Sequence, residues 1–161
     1  MLPLLLLLLS SHSANTGHTV APRAPSLPAT VTACRAVTRA EVIEALGRAV
    51  NDGSETTAGA ESSCDYATAH GLVSLVIERV DGMPNLRTEM DSMKKLVPEA
   101  SFRTAEGIGA RAFFVDIPGA GTQLHILGEH ECLLVSVLGF GEPAEVAGVA
   151  EKIARKALAR L

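Results

Sequence analysis

Residues 110–138 read ARAFFVDIPGAGTQLHILGEHECLLVSVL, from Ala110 to Leu138, and the reading of this stretch decides the fold. Three runs rich in β-branched, aromatic and leucine side chains, at 110–117, 122–127 and 132–138, are the lengths of strands. Pro118-Gly119-Ala120-Gly121 and Gly128-Glu129-His130-Glu131 separate them. Linkers this short force each strand to run back beside its predecessor, so the stretch predicts an antiparallel meander. Upstream, residues 72–80 alternate Val73, Leu75 and Ile77 with Ser74, Val76 and Glu78 and predict another strand. Weaker strand patterns cover 49–57 and 61–68, and a short extended piece surrounds Phe102.

Helices flank these strands. Thr38 and Glu41 have capping-box spacing, Val37 and Val42 can staple the entry, and Gly47 is a natural stop. Leu86, Met90, Met93 and Val97 recur at helical spacing until Pro98. In residues 143–161, Val146, Ala150, Ile153, Ala157 and Leu161 share one face, with Lys152, Arg155, Lys156 and Arg160 on the other. Strands grouped between helices, without βαβ alternation, predict an α+β fold: an antiparallel sheet with three helices packed on it as an α-β-α sandwich.

The chain of 161 residues is the size of one domain, and 47% hydrophobic with 20% charged residues is globular rather than disordered. The net charge of −4, with 14 Lys+Arg against 18 Asp+Glu, leaves no basic footprint for nucleic acid. The first 22 residues hold no Lys, Arg, Asp or Glu, and the run Leu4 to Leu9 precedes Ser10, Ser11, His12, Ser13 and Ala14. This is the pattern of a signal peptide over 1–13, cut before Ala14. Residues 14–33, with Pro22, Pro25 and Pro28 among Ser, Thr and Ala, read as a flexible linker, which leaves 34–161 as the single α+β domain. No segment has the apolar length of a transmembrane helix.

The glycine pairs Gly107-x-Gly109, Gly119-x-Gly121 and Gly139-x-Gly141 lack the third glycine of a dinucleotide site and read as turns. His125, His130 and Cys132 form the most chemical cluster. A two-residue turn at Gly128-Glu129 would pair His125 with Cys132 and put all three groups on one sheet face, where imidazole and thiolate suit zinc or copper. A four-residue loop keeps that arrangement, whereas a three- or five-residue loop separates the groups. The structural alternative leaves His130 exposed at the hairpin tip, His125 on a half-buried face and Cys132 as a small core residue. Cys132 with His125, oriented by Asp116 or Glu131, also has the composition of a nucleophilic set. A thiol opening an apolar strand would have its pKa raised and be inert. Asp52 with Glu55, and Asp65 with Glu78, are candidate paired carboxylates. The basic stripe of the last helix reads as a solvated back rather than a docking surface.

Ala33-Cys34, Thr38-Arg39-Ala40-Glu41-Val42, Ala45-Leu46-Gly47, Ser63-Cys64-Asp65-Tyr66, Gly107-Ile108-Gly109-Ala110-Arg111-Ala112 and the helix ending Ala154-Arg155-Lys156-Ala157-Leu158 together resemble a family of secreted bacterial domains of unknown function. Such domains occur in cell-envelope lipoproteins and are similar in shape to the PsbP-like and LpqN-like α-β-α sandwich. The resemblance spans residues 33–161. It departs from the family at Ala110, where Asp is frequent, and in lacking a lipid-anchor Cys after the leader. It implies no catalytic residue, and it pairs Cys34 with Cys64. Residue placement agrees: both cysteines sit where an element meets a loop, while Cys132 adjoins the apolar run 133–138 and stays free, as an odd count of three in an oxidising compartment requires.

Two functions follow as expectations. The first is a secreted or periplasmic non-catalytic binding or interaction module, needing no cofactor, that holds a small ligand or an envelope protein on a sheet face or in a cleft between sheet and helix. The second is a small zinc- or copper-binding protein or hydrolase centred on His125, His130 and Cys132.

Overall fold

The meander forms as its linkers dictate. In the computed structural model, which describes residues 31–161, Arg111–Ile117 (β5), Gly121–Leu127 (β6) and Glu131–Leu138 (β7) run antiparallel in sequence order. The expected leader at 1–13, and all but the last three residues of the expected linker at 14–33, lie outside the described residues. Gly121 closes the β5–β6 turn at φ 130°, and a Cβ there would meet the Val137 carbonyl at 2.2 Å, so the close approach of β7 requires glycine.

A second meander joins Ser54–Ala58 (β1), Glu61–Ala67 (β2) and Leu72–Arg79 (β3). β3 then pairs with β7, and Ser101–Thr104 (β4) forms the far edge beside β5. One seven-stranded antiparallel sheet results, in the order β1-β2-β3-β7-β6-β5-β4. After β3 the chain must cross from the sheet centre to that far edge. The helix Leu86–Leu96 (α3) occupies this crossing, and it lies against β5.

The inner face of the sheet carries the core. Val73, Leu75 and Ile77 of β3 register with Val137, Val135 and Leu133 of β7, and these with Leu124 and Ile126 of β6. All are buried against Pro143–Leu158 (α4), whose Val146, Ala150, Ile153 and Ala157 face them. Alanines at two of these four positions let the helix approach the sheet closely. Ala33–Ala36 (α1) lies against β2 and β3, and Arg39–Leu46 (α2) against α4. The capping box forms as expected: the Thr38 backbone N–H donates to Glu41 Oε2 at 2.9 Å, and the Glu41 N–H donates to Thr38 Oγ1 at 3.4 Å. Val37 and Val42 are both fully buried beside it.

The three-helix α-β-α sandwich is overturned. Four helices occur among the described residues, most of them short, and the sheet dominates the fold. The amphipathic stripe at 86–97 has the period of a core helix, yet α3 has no buried residue. It crosses the sheet as a connection and does not cover it as a layer. The brief helix at Ala33–Ala36 begins on the last residue of the expected linker and lies otherwise in the expected domain; Ala33 and Ala36 are buried and Cys34 is tied to β2.

The basic side of α4 is exposed at Lys152 and Arg155, as expected of a solvated back, and it also carries specific contacts. Lys156 Nζ donates to Glu44 at 3.0 Å, Arg155 donates to the Gly107 carbonyl at 3.0 Å, and Arg160 makes a two-pronged contact with Glu41 at 2.7 and 2.9 Å. These cations tie α4 to α2 and to the loop before β5. Arg160 lowers the Glu41 carboxyl to a pKa of about 2.

Candidate functional site: the cleft beneath α3

The β6–β7 hairpin sets the positions of the candidate residues. Its connection leaves four residues between the first paired positions, Leu127 and Cys132, so His125 stands opposite Leu134 and the expected His125–Cys132 pairing is shifted by two residues. A shift of two preserves the face. His125 and Cys132 therefore both point to the outer face of the sheet, toward α3, and both line a cavity of about 360 Å³ beneath it. The floor of the cavity includes Val76, Leu127 and Leu134, and its roof is Val80, Pro84, Glu89 and Met93. Glu61 and Glu78 line its β2–β3 side.

His130 is not part of this group. It lies exposed in the hairpin loop, and its carbonyl accepts from Val80 N–H at 2.9 Å, tying the start of the crossing segment to the hairpin. Among the described residues no group of three or more His, Cys, Asp or Glu is placed to hold a metal ion.

His125 is the most perturbed group in the cleft. Its ring stacks on Phe113, its cross-strand partner in β5, with centroids 4.7 Å apart and planes 13° from parallel. Its Nε2 is buried and has no hydrogen-bond partner among the described residues. Burial lowers its pKa to about 4, so the imidazole is neutral at physiological pH. Cys132 is half-buried and free, and it faces the cleft rather than the inner core expected of it. Burial first, and then the charges of Glu78 and Glu89, push its thiol pKa up. The environment thus opposes the thiolate that nucleophilic chemistry needs.

The acids proposed to orient His125 are elsewhere. Asp116 accepts from Arg103 Nε at 2.7 Å and from Thr122 Oγ1 at 2.6 Å, and strand alternation puts it on the inner face. Glu131, one residue from Cys132, also points to the opposite face and pairs with Arg79 at 4.0 Å. The other carboxylates named from the sequence are used structurally: Asp52 pairs with Arg39 at 3.6 Å, Glu55 accepts from the Cys34 N–H at 3.3 Å, and Asp65 accepts from Ser74 Oγ at 2.5 Å. Only Glu78 of that set reaches the cleft.

Sequence reading missed Glu61 and Glu89 as partners of Glu78. One signal was present, since Glu89 falls on the same helical face as Leu86 and Met93 and interrupts an otherwise apolar stripe.

Cys34 and Cys64 form a disulfide, which fastens α1 to β2 at the inner face, and Gly53 packs over it. No described helix is long and apolar enough to cross a membrane. Comparison with known protein families, with curated proteins and with solved structures finds no match for this chain.

Proposed function

We propose that the protein is a secreted or periplasmic binding module of the cell envelope, without catalytic activity, that holds a small apolar ligand in the cleft between the outer sheet face and α3. The observation that carries this reading is the cleft itself. Its volume lies within the range of small-molecule sites, its walls are mainly aliphatic, and His125 and Cys132 are among its lining residues. The roof suits exchange of ligand, since α3 has no buried residue and meets the sheet through side chains such as the adaptable Met93. Export is supported by the leader-like sequence at 1–13 and by the disulfide, a bond of oxidising compartments. The resemblance to envelope domains points the same way.

Titration with the neutral fluorophore N-phenyl-1-naphthylamine tests the site. One saturable binding event per chain is expected, and it should vanish in Leu134→Trp, which fills the cleft, while circular dichroism shows the variant still folded. Absence of saturable binding, or binding unchanged by that substitution, refutes the reading.

A further inference from the structure

We infer that the cleft selects a cationic amphiphile, whose alkyl chain lies on Val76, Leu134 and Met93 while its ammonium group sits among Glu61, Glu78 and Glu89. This rests on the reading of the cleft as a ligand site and adds the charge of the ligand. Three observations carry it.

Glu61 and Glu78 are directly opposed residues of β2 and β3 on the outer face. Like charges at directly opposed positions destabilise a sheet. Among the described residues neither is paired with a cation, nor is Glu89, which reaches the same cleft from α3.

Among the described residues no Lys or Arg lines the cleft. The cations nearest in sequence are engaged elsewhere: Arg79 with Glu131 at 4.0 Å, and Arg87 and Lys94 with Asp91 at 4.0 and 3.5 Å. Arg111 opens onto a separate depression, beside Arg87 and Lys94. His125 adds no positive charge, because burial keeps it neutral. An anionic ligand would thus meet three carboxylates and no compensating cation.

The third observation separates an organic cation from a bare metal ion. The carboxylates adjoin an aliphatic floor, and no metal-holding group of three occurs among the described residues. An ammonium group attached to an alkyl chain satisfies both features: its charge relieves the Glu61–Glu78 opposition, and its chain removes apolar surface from water.

Isothermal titration calorimetry with decyltrimethylammonium, decanol, decanoate and tetramethylammonium, each below its micellar concentration, tests the inference. Decyltrimethylammonium should bind about tenfold or more tighter than decanol, tetramethylammonium weakly, and decanoate not measurably. Its advantage over decanol should shrink in Glu61→Gln and Glu78→Gln by about two- to five-fold per carboxylate, the equivalent of one solvent-exposed ion pair. The same advantage should fall with added salt, while decanol affinity stays unchanged. Removal of an opposed like-charge pair should leave the double variant melting at or above the wild type, which verifies that it folds. If decanol or decanoate binds as tightly as the cation, the charge inference is refuted and the ligand site stands. If none of the four binds, both fail.

Discussion

Replacing His125 by Phe should remove a measurable part of the protein's acid sensitivity. The imidazole is neutral in the native state down to a pKa of about 4, whereas the unfolded chain takes up the proton near 6.5. Between these values the unfolded state binds more protons than the native one, so stability is complete above pH 6.5, falls as the pH drops, and levels off below about 4. At about 1.4 kcal/mol per pH unit, the loss accumulates to about 3 kcal/mol, most of it already present at pH 4.5. Against a typical total of about 5–15 kcal/mol this is a large share. In urea it amounts to a midpoint shift of about 1.5–2 M for a slope of about 1.5 kcal/mol/M. Phe keeps the stack on Phe113 but has no titrating nitrogen, so the variant should hold its midpoint far better between pH 7 and pH 4.5. Paired urea melts at half-unit pH steps measure the difference. Equal losses in wild type and His125→Phe over that window would mean that the ring is hydrated or hydrogen-bonded in solution, which would refute the burial that lowers its pKa.

Four further outcomes are expected. The double substitution Cys34→Ser and Cys64→Ser opens a loop of sequence separation 30 and should lower stability by about 3–4 kcal/mol, seen as a drop of about 10–15 °C in Tm by calorimetry. Tyr66→Phe deletes the hydroxyl that donates to the Val37 carbonyl in the core, and denaturant melts should show a loss of about 1–2 kcal/mol. Glu41→Gln should flatten the pH dependence in a lower window than His125 does: the depressed carboxyl stabilises the native state above about pH 4.5, and that stability is lost as the pH falls toward 2, which acid titration followed by circular dichroism will show. The Cys132 thiol should react with iodoacetamide far more slowly in native protein at pH 7.5 than in urea, because burial raises its pKa; equal rates by mass spectrometry would contradict its placement in the cleft.

The sheet was legible where the signal is local. The turns at 118–121 and 128–131 define the meander of β5, β6 and β7 by their length alone, and alternation in 72–80 marks β3 before any contact is known. The central β3–β7 pairing is not local: it joins residues such as Val73 and Val137, and nothing in the chain between them announces that the two meanders meet there. The meander of β5, β6 and β7 could be read and β1, β2 and β3 only as separate strand patterns, and the union of the two groups required tertiary packing. Helical layers were misjudged for a related reason. Period describes which side of a helix is apolar, not how much area it buries, so α3 and α4 look equivalent in sequence although only α4 contributes buried residues.

The cleft was half legible, and the missing half is the more informative. Strand parity places His125 and Cys132 on one face whichever even loop length the hairpin adopts, so that part of the site follows from alternation. It does not supply a metal centre, because His130 remains in the loop and, among the described residues, no group of three His, Cys, Asp or Glu is placed to hold an ion. The acids that do converge come from three elements, β2, β3 and α3. Their convergence depends on the β2–β3 register and on the path of the crossing segment, neither of which a single-chain pattern encodes. That origin also bears on the chemistry. Two of these carboxylates, Glu61 and Glu78, are exposed and directly opposed across the β2–β3 pair, where like charges weaken the pairing unless something offsets their repulsion. A ligand that carries positive charge and an apolar chain is the simplest occupant to supply that offset.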